Sequence, residues 1–270
     1  SGEAQRLERK LLEAFERGAH VPVLRLREHE DADLRRVGQV AYDALFDGYT
    51  RKQWGVGPAD LDPSVTGRVP IRVGRDDRYF QDPYQGVPVD GYTAMVRRIL
   101  DQPGIDVSTG TTFEQAEAMA SFDRVLYTGP LDALMGYAWG ALPYRSLRFE
   151  HHTHEQTELV QPVAQVNYPD AQDGDFTRIV EHRHFTGQQI DATTTTREFA
   201  LSHVPGQTEP YYPVPHPDNR ALYHRYESEL ARVHPSLLAA GRLADYKYYN
   251  MDQAVGRALS LFERSIAPAG

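Results

Sequence analysis

Residues 145–150 read RSLRFE, where Leu147 and Phe149 alternate with charged neighbours. Residues 160–167 continue the alternation of apolar and polar side chains. A period of two residues is typical of a strand with one face toward a core and the other toward water. The stretch from Arg145 to Phe199 therefore predicts an antiparallel sheet.

Helical patterns lie on both sides of this stretch. Apolar residues recur at helical spacing in residues 7–15 and 37–45, and again in residues 251–266, where Asn250 stands at the N-cap position. The predicted fold class is α+β, a helical bundle segment plus an antiparallel sheet. Shorter elements are predicted at residues 92–100 (helix) and at residues 105–108 and 123–128 (strands), and residues 55–75, rich in glycine and proline, predict a long loop.

Composition limits the functions that the chain can have. The 270 residues carry a net charge of −9, which argues against nucleic acid as a partner, and no cysteine is present. No apolar run reaches the length of a membrane span, and the charged opening is unlike a signal peptide. We expect a cytoplasmic protein, in which any anionic ligand is held by a local group of arginines.

Histidines form two groups that deserve comparison with metal sites. His151, His152 and His154 cluster, while His182 and His184 lie two apart on an expected strand and would share a face. A polar strand surface explains them more simply, because spaced carboxylate and cysteine partners are missing. We predict no metal site.

Specific strings give the strongest functional signal. The run FDGYTRKQWG at residues 46–55 resembles a signature of the UDP-galactopyranose mutases, a family of flavoenzymes. Further strings similar to that family follow in order: RVPIR (68–72), RYF (78–80), YQGVP (84–88), GYT (91–93), YTGPLD (127–132), YRSL (144–147), VNY (166–168), TRI (177–179), PYYP (210–213) and GRL (241–243). The resemblance runs from about Glu3 to Pro268.

The resemblance implies an isomerase that interconverts pyranose and furanose forms of a UDP-linked sugar. In that family reduced FAD attacks the anomeric carbon through its N5 atom, giving a flavin–sugar adduct while UDP departs and later returns. Two arginines that hold the diphosphate map onto Arg68 and Arg178. The resemblance also implies substrate contacts from Tyr49, Trp54, Tyr79, Phe80, Arg145, Asn167, Tyr212 and Tyr248, and flavin contacts from Gly241, Arg242, Tyr248, Asn250 and Met251.

The residue types fit such a ligand independently of the family. Arginine forks match phosphate oxygens, which makes Arg68, Arg178 and Arg242 candidates, with the hydroxyls of Tyr79, Tyr212 and Tyr248 as further donors. Tyr49 and Trp54 together could stack on a uracil ring. Taken singly, such residues more often pair with carboxylates or fill a core.

The resemblance also divides the chain. It implies a helical substrate-binding segment (1–60), a mobile loop with an active-site strand (61–90), part of an FAD-type α/β domain (91–143), the antiparallel sheet (144–215) and closing helices with a distal flavin motif (216–270). The glycine-rich Rossmann turn of the family is absent, so we expect an N-terminal truncation, and poor FAD binding by this chain alone. A second polypeptide or a flavin-free derivative are alternatives.

Three substitutions depart from the family pattern: Asn250 for an aspartate, Ala244 for a glycine and Phe176 for a tyrosine. The sugar and the base therefore stay open, as does a homodimer. Two other functions are compatible with the sequence: a flavin-free protein that binds a nucleotide sugar, and another FAD-dependent enzyme that acts on nucleotide sugars.

Overall fold

The computed structural model describes residues 2–67, 69–76, 78–80, 82–155 and 158–267. The helices are α1 (Gly2–Ala14), α2 (Val23–Arg27), α3 (Ala32–Ala41), α4 (Gly48–Trp54), α5 (Ser64–Gly67), α6 (Gly91–Leu100), α7 (Phe113–Met119), α8 (Leu131–Leu134), α9 (Arg183–Thr186), α10 (Pro217–Val233) and α11 (Met251–Ser265). The strands are β1 (His20–Val21), β2 (Ile71–Arg72), β3 (Val125–Tyr127), β4 (Tyr144–His154), β5 (Gln165–Asn167), β6 (Arg178–Glu181), β7 (Thr193–Ser202), β8 (Tyr212–Pro213) and β9 (Leu237–Ala239).

The N-terminal helices pack closely around a small apolar core. Asp31 begins α3 as its N-cap, since its carboxylate accepts hydrogen bonds from two backbone N–H groups of the first turn. A Cβ at Gly38 would lie 2.4 Å from the backbone nitrogen of Arg27, so α2 and α3 touch backbone to backbone. The predicted helix at residues 37–45 is confirmed, and it continues through a π-helical segment, Tyr42–Asp47, into α4.

The predicted antiparallel sheet is also confirmed. Among the described residues its strand order is β5-β6-β7-β4-β8, with every neighbouring pair antiparallel. The pairing register places one row of residues straight across four strands on one face: Phe149, Glu198, Arg178 and Asn167. Arg145 and its partner Tyr212 lie on that face too, because strand side chains alternate. We call this the inner face and the opposite one the outer face.

A second core joins the start of β4 to the C-terminal helices. It contains Leu131, Leu142, Tyr144, Tyr226 and Leu230. Tyr226 is fully buried, and its hydroxyl donates to the carbonyl of Gly140 at 2.7 Å, which satisfies its polar group inside the core. Beside this core β3 pairs with β9 in parallel, within the predicted strand at residues 123–128.

Three local predictions are wrong. Residues 105–108 form no strand, and Ile105 and Val107 are exposed there. Residues 158–164 form bends, because the carboxylate of Glu181 accepts hydrogen bonds from the N–H groups of Val160 and Gln161 and draws this segment away from the ladder.

The third error concerns the histidines. β6 ends at Glu181, so His182 and His184 do not lie on a strand; His182 is the N-cap of α9 and His184 lies within it. In the described ranges no three His, Asp or Glu side chains are grouped so as to hold a metal ion. The loop predicted at residues 55–75 contains a 3₁₀ turn, α5 and β2.

No helix in the described part of the chain combines the length and the apolar character that crossing a bilayer requires.

Candidate functional site

The centre of the site is an ion pair on the inner face. Arg178 on β6 and Glu198 on β7 lie directly opposite each other, with 3.3 Å between Nε of the arginine and Oε1 of the carboxylate. Burial raises the pKa of Glu198, and Arg178 offsets only part of that effect. Burial lowers the pKa of Arg178, but the Tyr49 phenol and the Glu198 carboxylate outweigh it, so the net shift is upward. Arg178 is therefore a permanent cation beside a carboxylate that burial makes easier to protonate.

Helix α4 covers this ion pair. The hydroxyl of Tyr49 accepts a hydrogen bond of 2.6 Å from Nη2 of Arg178, and burial raises the pKa of Tyr49, which keeps the phenol neutral. Gly48 allows the approach: a Cβ there would lie 2.2 Å from the carbonyl oxygen of Pro169. The helix and the sheet thus meet at the site.

Lys52 fastens the same helix to the β5–β6 connection. Its ammonium donates to the carbonyls of Tyr168, Asp170 and Phe176 at 2.7, 2.6 and 3.2 Å. Three carbonyl acceptors satisfy all three ammonium protons. Lys52 therefore holds the strand that carries Arg178 against the helix that carries Tyr49.

Arg145 is buried, and its guanidinium makes hydrogen bonds within the protein. Its guanidinium donates to the carbonyl of Gln53 at 2.8 Å and to the hydroxyl of Ser202 at 2.9 Å. Burial lowers its pKa. The bond to Gln53 fixes the last turn of α4, whose C-cap is Gly55 with a φ of 75°.

Aromatic rings form the second half of the site. Tyr212 and Tyr248 stack with 5.3 Å between ring centroids and an angle of 7°, and Trp54 meets Tyr212 edge-on at 6.4 Å. The guanidinium of Arg242 lies 5.2 Å and 4.8 Å from the centroids of the two tyrosines. Burial raises the pKa of Tyr212 to about 12. Trp54 therefore contacts Tyr212, whereas Tyr49 bonds Arg178, and the stacking of Tyr49 and Trp54 on a uracil ring stays a prediction.

Of the remaining predicted site residues, Tyr79 and Phe80 lie away from the Arg178 row, whereas Asn167 belongs to it. Tyr79 and Phe80 contact each other at 4.8 Å, but both are exposed, and no described contact joins them to the Arg178 row. Asn167 belongs to the inner row as the register partner of Arg178. Arg68 lies outside the described residues.

The five residues assigned to flavin lie between β9 and the start of α11. The N–H of Gly241 donates to Asp245, Arg242 donates to the carbonyl of Tyr249, and Asn250 forms a capping box with Gln253. Met251 is 66% exposed at the first position of α11. The stacked tyrosines and the positive end of a 15-residue helix suit a flat, electron-rich ring, so these groups fit the isoalloxazine end of a flavin.

Buried atoms without partners also mark the site. Among the described residues, five buried side-chain polar atoms have no hydrogen-bond partner, and three of them belong to Gln53, Arg178 and Glu198. The Arg178 and Glu198 atoms are Nε and Oε1, the two atoms of their ion pair, so their charges compensate each other although they form no aligned hydrogen bond.

Sequence reasoning missed Gln53, Lys52 and Glu198. Lys52 and Gln53 both lie inside the string at residues 46–55. Gln53 comes four residues after Tyr49, so the two share one face of a helix, and this spacing could have identified Gln53 from the sequence. Glu198 needed the register of β6 and β7, which the sequence does not reveal.

The fold and the site define an α+β protein with an arginine- and tyrosine-lined site between a helix and an antiparallel sheet. The model of the UDP-galactopyranose mutase family matches residues 44–248. The chain belongs to the UDP-galactopyranose mutase family.

Several relatives are similar. A probable UDP-galactopyranose mutase of Klebsiella pneumoniae is 37% identical over 232 residues, which span 85% of this chain and 59% of the relative. A dTDP-fucopyranose mutase of Escherichia coli is 33% identical (85% and 62% covered), and a UDP-galactopyranose mutase of Mycoplasma pneumoniae is 30% identical (91% and 64%). The chain thus spans about three fifths of the length of these relatives.

The fold is similar to a crystal structure of a reduced UDP-galactopyranose mutase. The TM-score is 0.62 at 14% identity, over 99% of this chain and 74% of the other. The α+β fold class is confirmed.

Proposed function

We propose that the protein acts in the interconversion of pyranose and furanose forms of a UDP-linked sugar, and that the inner face binds the diphosphate. The observation that carries this proposal is the Arg178 guanidinium on the inner face, which Glu198 at 3.3 Å and the hydroxyl of Tyr49 at 2.6 Å hold in a fixed orientation. Planar guanidinium groups bind phosphate oxygens through paired donors.

Each neighbour has a task in this proposal. Tyr49 fixes the plane of the Arg178 guanidinium through its short hydrogen bond. Glu198 sits behind the arginine and orients it, while its own raised pKa lowers the electrostatic cost of an approaching diphosphate. Arg178 stabilises the charge that develops on UDP as it departs and keeps UDP close for its return. Arg68, from the sequence resemblance, would be the second diphosphate arginine.

FAD is the cofactor that the family implies. Gly241, Arg242, Tyr248, Asn250 and Met251 would hold its ring, and the reduced flavin would supply the nucleophile at the anomeric carbon. The stacked Tyr212 and Tyr248 would exclude water from one side of the sugar. On sequence grounds we keep the cytoplasm as the proposed location.

The test is turnover of UDP-galactofuranose by the protein with reduced FAD, followed by chromatography. Arg178→Ala should lower kcat/KM at least about a hundredfold, and Arg178→Lys should be intermediate because it keeps the charge but loses the planar fork. Arg232→Ala is the matched control, since Arg232 pairs with Glu229 on the exposed side of α10. Wild-type turnover in Arg178→Ala would exclude this role.

The base and the sugar can be tested in the same assay. The 33% identity to a dTDP-fucopyranose mutase favours dTDP-fucose as the second candidate substrate. Binding of either nucleotide without conversion would favour the flavin-free binding protein over a mutase.

A further inference from the structure

A cavity of about 400 Å³ lies against the outer face of the sheet. Its lining includes His152, His154, Gln161, Tyr168, Ile179 and Arg197. The volume falls in the range of small-ligand pockets. The register puts Glu150, Arg197 and Ile179 in one outer row, so the cavity is separated from Arg178 by the thickness of the sheet.

A buried carboxylate behind this cavity holds two of its lining residues in place. Glu181 is fully buried and accepts hydrogen bonds from the N–H groups of Val160 and Gln161 at 3.0 and 2.8 Å and from the hydroxyl of Thr193 at 2.7 Å. These bonds outweigh burial and hold the pKa of Glu181 below its ordinary value. The segment that carries Gln161 is therefore fixed over the sheet before any ligand binds.

Gln161 presents an unsatisfied acceptor in this lining. The residue is 8% exposed, and its Oε1 has no partner among the described residues. Its Nε2 lies 3.5 and 3.4 Å from the carbonyls of Val163 and Ile179, which fixes the orientation of the amide. The site therefore calls for a hydrogen-bond donor.

Cationic and aromatic groups surround that acceptor. Arg197 makes no described ion pair, because its cross-strand neighbour Glu150 is bound by Arg148, and its guanidinium lies 5.3 Å from the Phe176 ring centroid. Such a guanidinium is available to an anion.

Two imidazoles lie beside the guanidinium. The rings of His152 and His154 meet edge to face at 4.7 Å, and His154 shares a hydrogen bond with the hydroxyl of Thr195 at 3.0 Å. His152 is exposed and its ring makes no described hydrogen bond, so the ring can donate to a bound oxyanion.

We propose that this outer cavity is a second binding site, for a monosaccharide that carries a phosphate or carboxylate group. The anion binds Arg197 and His152, a sugar hydroxyl donates to Oε1 of Gln161, and the ring of Tyr168 covers an apolar face of the sugar. The site is independent of the proposed mutase reaction, since its lining contains neither Arg178 nor any other residue of the inner row.

Calorimetric titrations of the full chain with galactose 1-phosphate, galacturonate, galactose and inorganic phosphate test this proposal. We expect one of the two acidic sugars to bind more tightly than both galactose and inorganic phosphate, which also tells which anion the site takes. Arg197→Gln should weaken that binding roughly tenfold or more. Gln161→Met should weaken the binding of the acidic sugar and leave the binding of inorganic phosphate unchanged. The control Arg232→Gln should change neither affinity.

Arg178→Ala separates this site from the inner face, because it should leave the binding of the acidic sugar intact. Four results would overturn the proposal: no binding at millimolar sugar, equal affinity for inorganic phosphate, affinity unchanged in both outer-face variants, or loss of binding in Arg178→Ala. Thermal unfolding shows whether each variant is folded. If Arg197→Gln is poorly folded, Gln161→Met takes its place as the test variant.

Discussion

The proposed role of Tyr49 depends on its hydroxyl oxygen, which orients Arg178. Its hydroxyl is the acceptor for Nη2 of Arg178, at 2.6 Å. In Tyr49→Phe the ring stays but a buried charged donor loses its partner, a change that typically costs about 1.5–3 kcal/mol. We predict that the affinity for UDP falls roughly tenfold, measured by calorimetry. Tyr84→Phe is the control, because Tyr84 is 93% exposed; an equal loss in both variants would exclude the orienting role.

Individual residues also show what sequence patterns can identify. Arg178, Tyr212 and Tyr248 were predicted from strings, and the structure brings them to one region. The substrate contact of Arg145 stays a prediction, and the sequence does not reveal the hydrogen bonds that its guanidinium donates to Gln53 and Ser202. A string identifies an arginine but not its partners, because those depend on the register of strands far apart in the sequence.

At the scale of elements, Lys52 links α4 to the β5–β6 connection. Lys52→Met keeps the length of the side chain but removes the three donors to residues 168–176. We predict faster hydrogen exchange in that segment and weaker UDP binding, with the thermal midpoint lowered only modestly. Lys10→Met is the control, since Lys10 also forms an ion pair, with Asp31 at the start of α3, but does not contact residues 168–176. Unchanged exchange at residues 168–176 would contradict the linking role.

Because Glu181 holds residues 158–164 in place, the stability of the protein should depend on pH through this carboxylate. The pKa of Glu181 in the folded protein lies below the ordinary glutamate value. The carboxylate therefore adds to the free energy of unfolding at pH values above the unfolded-state pKa, and this contribution is lost as the pH falls through the folded-state pKa. We therefore predict that Glu181→Gln is less stable than wild type at pH 7, and that the difference shrinks below about pH 4. Thermal midpoints of both proteins from pH 7 to pH 3 measure it. A difference that stays constant across this range would contradict the assignment.

Helix α11 shows what periodicity cannot tell. The predicted apolar stripe and its N-cap, Asn250, are both present, but the stripe is exposed: Val255 is 59% and Leu259 60% exposed. A period of 3.6 residues identifies the apolar face of a helix, not what that face packs against.

At the scale of the whole molecule, α6 and α11 each carry several exposed apolar side chains. Ile99 and Phe262 add to it, at 61% and 50% exposure. Large exposed apolar patches bind hydrophobic dyes and promote association. The double variant Val255→Glu and Leu259→Glu should reduce dye fluorescence while the thermal midpoint stays within a few degrees of wild type. A large fall in the midpoint would mean that the stripe is buried in solution.

The sheet illustrates what was predictable at this scale. Alternation at residues 145–150 predicts β4 because a half-buried strand must alternate. The strand order could not be predicted, nor could the bends at residues 158–164, since these depend on a buried carboxylate twenty residues away in sequence. The inner row of Phe149, Glu198, Arg178 and Asn167 arises only from that order.

The most direct test of the account is a calorimetric titration of UDP into the wild-type chain, Arg178→Ala and the control Arg232→Ala. If the inner face binds the diphosphate, UDP binds wild type and the control equally and Arg178→Ala roughly a hundredfold more weakly. Equal affinity in all three proteins, or tighter binding of ADP than of UDP by the wild type, would contradict it.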